Sequence, residues 1–140
     1  MPQRNFATIA RQVLGAKYDL SLATIDRPEA QRLNKQYRGR DKATNILSFP
    51  LAPDVGEILL CLPLIRAEAV ANGKKFTDYC RYLFIHGLLH LKGFVHGSKM
   101  EAEEKRLDAF FDHHEQTHRH RPRHRHRGRA DRGLRTRRGK

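Results

Sequence analysis

With 140 residues the chain has room for about one ordinary domain, and its 39% hydrophobic content supports a modest core. The net charge of +13 suggests nucleic acid as a partner, but residues 117–140 hold eleven basic residues against Asp131, or +10, leaving the first 116 with 17 basic and 14 acidic residues, or +3. No stretch approaches the ~20 apolar residues of a membrane span, the start MPQRNFATIARQVLG lacks the apolar centre of a secretory signal, and Cys61 and Cys80 form no CxxC pair. These features argue against a membrane protein, a disulfide scaffold and a thiolate zinc site, and predict a soluble intracellular domain with two buried thiols.

Phe6, Ile9, Ala10, Val13 and Leu14 recur at helical spacing, with Gly15 as a stop. DLSLATI (19–25) alternates as a strand. Asp26 is an N-cap and Pro28 a first-turn proline for a helix reaching about Tyr37. A polar loop, RGRDKATN, leads to a strand over Asn45 to Leu51, and EILLC (57–61) reads as a buried strand. These make three strands, fewer than a sheet usually holds. A helix from Pro63 to Asn72 ends at Gly73. The next, capped by Thr77 and closed by Gly93, is apolar nearly all round and reads as the central buried helix. Ser98 and Glu101 form an S-x-x-E capping box for a last helix through Leu107, Phe110 and Phe111. The expected architecture is a single α/β (α+β) domain, residues 1–116, with a small mixed sheet packed by helices. Residues 117–140 contain one aliphatic side chain larger than alanine, Leu134, and are expected to be disordered.

Of nine histidines, the first 112 residues hold only three, all within HGLLHLKGFVH: His86, His90 and His96. Chance would give this H-x3-H-x5-H spacing in roughly one arrangement in 2,000. Residues four apart share a helix face, and Gly93 lets the chain reverse so that His96 can reach the same point. Three imidazoles with a position left open describe a catalytic zinc site, although nickel, copper and iron also accept such ligands. The spacing is that of the metzincin proteases. Gly87, however, stands where those enzymes carry the glutamate that serves as general base, which favours a different chemistry on a similar ligand set.

HGLLHLKGFVH resembles the H-G-x-L-H-L-x-G-Y/F-D-H signature of the YbeY family of ribosomal RNA maturation endoribonucleases. LNKQYRGRDKATNILSFP (33–50) and GEILLC (56–61) resemble two further segments of that family in the right order. The resemblance implies one zinc ion per chain on His86, His90 and His96, with Arg38 as the functional arginine and Lys42, Asn45 and Ser48 as RNA contacts. It implies cleavage of single-stranded ribosomal RNA, 16S rRNA 3′ end maturation, ribosome quality control, the ribosome or its small subunit as partner, and a cytoplasmic location. Arginine suits the phosphate role because its planar fork donates two hydrogen bonds and stays charged. Departures stand out as well. Val95 replaces the acid usual before the third histidine, removing a possible ligand-orienting partner. Ala43 replaces a frequent proline, and the N-terminal strand usual in the family is missing, which predicts an exposed sheet edge.

His113, His114, His118, His120, His124 and His126 alternate partly with arginine. Neighbouring cations disfavour metal there, so the tail is expected to hold phosphate through counterion release. Two rival readings remain: a non-catalytic ribosome- or RNA-binding protein with a structural zinc, and a zincin-type metalloprotease.

Overall fold

Alternation along DLSLAT sets Leu20 and Leu22 on one face of a strand and Ala23 on the other, and in the computed structural model this segment is β1 (Asp19–Thr24). The structure describes residues 3–119 and 134–138. β1 runs parallel to β3 (Val55–Leu60), which pairs antiparallel with β2 (Ile46–Ala52). Pro50, which lacks an N–H, is accommodated because β2 is an edge strand with a register shift after that residue.

The two faces of the sheet carry separate apolar clusters. On one, Leu20, Leu22, Ile46, Ile58 and Leu60 meet α1 (Gln3–Leu14) and α4 (Phe76–Lys92), where Phe6 and Phe84 stack with centroids 4.1 Å apart. On the other, Ala23, Leu47 and Leu59 meet Ala30 of α2 (Arg27–Arg38). Asp26 caps α2 by accepting from the Glu29 amide, and Gly39, at φ 73°, ends it. Asn34 then donates to the Lys42 carbonyl at 2.9 Å, pinning the following loop.

α3 (Leu62–Ala71) and α5 (Ser98–Arg119) complete the helices. α4 is the central buried helix, as its composition predicts, with Leu83, Phe84, Ile85, Leu88 and Leu89 all buried. Two boundaries differ from expectation. α4 starts one residue before Thr77, with Lys75 in the cap position and no side-chain cap bond. Ser98 already lies within α5, whose Glu101 N–H reaches the Gly97 carbonyl. Cys61 and Cys80 are buried free thiols, and burial pushes Cys80 up to about 11.

α5 runs past Gln116 to Arg119, and Leu134–Arg138 form β4, parallel to β1, giving the sheet order β2-β3-β1-β4. A strand edge accepts an added segment through backbone hydrogen bonds, which need no apolar side chain. The same pairing covers one edge of β1. The disorder expected for residues 120–133, 139 and 140 lies outside the described residues, as do His120, His124 and His126. No helix among the described residues is long and apolar enough to cross a membrane.

Candidate metal centre

The helical period places His86 and His90 on one face of α4, and Gly93 ends the helix at φ 107° with its N–H on the Leu89 and His90 carbonyls. Phe94 N–H also bonds the Leu89 carbonyl, so the chain folds back and returns His96 to the other two imidazoles. The three ring centroids are 4.7, 5.2 and 4.8 Å apart. One ligand atom from each ring lies within 4.8 Å of the others, and the Nε2 atoms of His86 and His90 are 3.2 Å apart. Nitrogen ligands at zinc-type distances around a tetrahedral ion stand about 3.3 Å apart, so the three residues fit a metal ion.

Electrostatics favour the ligand form. Burial lowers the pKa of His90 first, followed by repulsion from His86 and His96 and, more weakly, from Arg38. The imidazole therefore sheds its proton more readily than a solvated one, leaving a lone pair available. His86 turns its Nδ1 to the buried carboxylate of Glu104 on α5, whose Oε1 also accepts from the Tyr82 hydroxyl at 3.2 Å. Sequence reasoning passed over Glu104. Its signal was a carboxylate on the stripe Met100, Glu104, Leu107, Phe111, where every other member is a buried apolar residue.

Gly87 has a packing reason for its identity. A Cβ there would come within 2.8 Å of Ile46 Cδ1 and 2.9 Å of Ser48 Oγ, so α4 lies against the sheet at this position. The glutamate of a zincin has no room here. Ser48 donates its hydroxyl to the Gly87 carbonyl at 3.2 Å, linking β2 to the histidine helix beside His86.

The other residues singled out in the sequence are dispersed. Arg38 ends α2 and is exposed, close enough to His90 for its charge to be felt. Lys42 is exposed on the loop that follows. The amide of Asn45 instead donates to Glu68 at 2.8 Å, and Glu68 also accepts from Tyr79 at 2.9 Å, tying the start of β2 to α3 and α4. Desolvation, with that hydrogen bond, pushes Tyr79 up to about 12.

A family model described as Endoribonuclease YbeY matches residues 3–119. The chain belongs to the YbeY family. The Endoribonuclease YbeY of Halorhodospira halophila is 38% identical over 104 residues, covering 64% of this chain and 68% of that protein. That of Cupriavidus necator is 37% identical over 108 residues, covering 74% of this chain and 54% of the relative. The chain thus spans between about half and about two thirds of the length of these two YbeY relatives. The solution structure of TM1509 from Thermotoga maritima is 26% identical with a TM-score of 0.61, covering 83% of this chain and 82% of that one.

Proposed function

We propose that this YbeY chain is a zinc-dependent endoribonuclease that cuts single-stranded ribosomal RNA, in 16S rRNA 3′ end maturation and ribosome quality control. It carries one zinc ion per chain and works in the cytoplasm on the ribosome or its small subunit. The observation that carries the reading is the convergence of His86, His90 and His96 in a member of an endoribonuclease family.

A zinc ion held by three imidazoles supplies Lewis acidity and lowers the pKa of water. The chain's own residues do the rest. Arg38 binds a phosphate of the scissile linkage through its planar fork and stabilises the charge that builds on the phosphoryl oxygens. Lys42, exposed on the loop that follows α2, holds a neighbouring phosphate. Ser48 and Asn45 also contact the RNA, while one hydrogen bond from each, to the Gly87 carbonyl and to Glu68, holds β2 against α4 and α3. The catalytic domain is residues 1–116, with the basic segment beyond it adding affinity without sequence choice.

The test pairs metal analysis with cleavage of a single-stranded RNA. The native chain is expected to carry one zinc and cut. His90→Ala is expected to lose both, and full cleavage by that variant in metal-free buffer would overturn the proposal. Zinc bound without cleavage would favour a non-catalytic RNA-binding protein.

A further inference from the structure

Glu104 is 4% exposed, and its contacts are the Nδ1 of His86 and the Tyr82 hydroxyl. Both of its carboxylate oxygens are thus held, one by the His86 ring and one by Tyr82. The other ring nitrogen of His86, Nε2, is the atom that converges with His90. We propose that Glu104 is a positioning residue of the metal centre. Its carboxylate accepts from Nδ1–H of His86, which fixes the tautomer, locks the ring angle and leaves the Nε2 lone pair for the metal.

Three further observations support this role. The acid that the YbeY resemblance places before the third histidine is Val95 here, 77% exposed in the turn, so any orienting carboxylate has to come from elsewhere. α5 is held in register one turn beyond Glu104, where Asp108 accepts from Arg81 Nε at 2.9 Å, so the position of the carboxylate is set by helix pairing. Tyr82, one turn before His86, holds the second carboxylate oxygen and fixes its rotation. Glu104 sits on the ring edge opposite the metal-facing nitrogen, and so acts through His86 rather than on the reacting atoms.

The inference rests on the metal-centre reading above, and the experiment separates the two. Zinc affinity of the full chain is measured by competition with a chromogenic chelator, alongside the visible spectrum of the cobalt(II)-loaded protein and the melting temperature of the metal-free form. Glu104→Gln is expected to weaken zinc binding about 10- to 100-fold and alter the cobalt spectrum, with Glu104→Asp recovering part of the loss. Tyr82→Phe, which keeps the ring, is expected to cost several-fold. Native affinity and spectrum in Glu104→Gln, or a fall in metal-free stability with affinity unchanged, would overturn the role. If Glu104→Gln does not fold, native behaviour of Tyr82→Phe overturns it. A native chain that binds no zinc sinks both readings, whereas one that binds zinc and cuts no RNA removes only the reaction.

Discussion

Gly87 and Arg38 answer to opposite demands. Gly87 is buried where α4 meets the sheet, with Ile46 and Ser48 occupying the space of any side chain. Gly87→Glu, which would install the protease base, therefore forces a carboxylate into a packed contact. It is expected to cost about 3 kcal/mol or more of stability, read by denaturant unfolding, without any peptidase activity appearing. Arg38 is exposed and contributes little to packing. Arg38→Gln is expected to leave zinc content unchanged and stability within about 0.5 kcal/mol. RNA cleavage is expected to fall about 10²- to 10³-fold, the range for losing one donor to developing charge. An equal loss of zinc would show that Arg38 supports the ligands instead.

Between elements, the pairing of α4 with α5 is what the histidine site depends on. Arg81, 5% exposed, reaches Asp78, Asp108 and Asp112 at 3.5, 2.9 and 3.4 Å. Removing one side of a buried ion pair costs about 3–5 kcal/mol, and because these carboxylates are partly solvated, Arg81→Ala is expected to cost about 2–3 kcal/mol. A thermal melt of the metal-free chain measures it. Much of this level was legible in the sequence: the histidine spacing, the Gly93 reversal, the Asp26 cap and β1 to β3 all follow from local period and turn chemistry. Partners between elements were not. Nothing local tells that Glu104 meets His86 eighteen residues away, or that Asn45 is spent on Glu68, because helix pairing sets those contacts. The Phe76 start of α4, with Lys75 in the cap position, escaped for a related reason, since packing overrides a weak capping preference.

For the whole molecule, the division of charge into a +3 body and a +10 tail sets how RNA affinity responds to salt. Deleting residues 120–140 is expected to weaken binding most at low salt and flatten the salt dependence, by about 0.7 in log–log slope for each phosphate that the tail neutralises. Zinc content is expected to stay intact. A fluorescence anisotropy titration at several salt concentrations decides this, and an unchanged slope would take the tail out of RNA binding. The deletion also removes β4, so it is expected to raise self-association by exposing the β1 edge, measurable by light scattering. Replacing Arg135, Arg137 and Arg138 with Gln separates the two effects by keeping the strand while removing charge. The β1–β4 pairing also has a temporal side. Leu20 and Leu134 are sheet neighbours separated by more than a hundred positions in sequence. Synthesis runs from the N-terminus, so β1 exists long before its partner, and the nascent sheet waits as three strands. During that interval any extended segment that reaches the edge competes for it, and the chain's own closing strand is the last contestant to arrive.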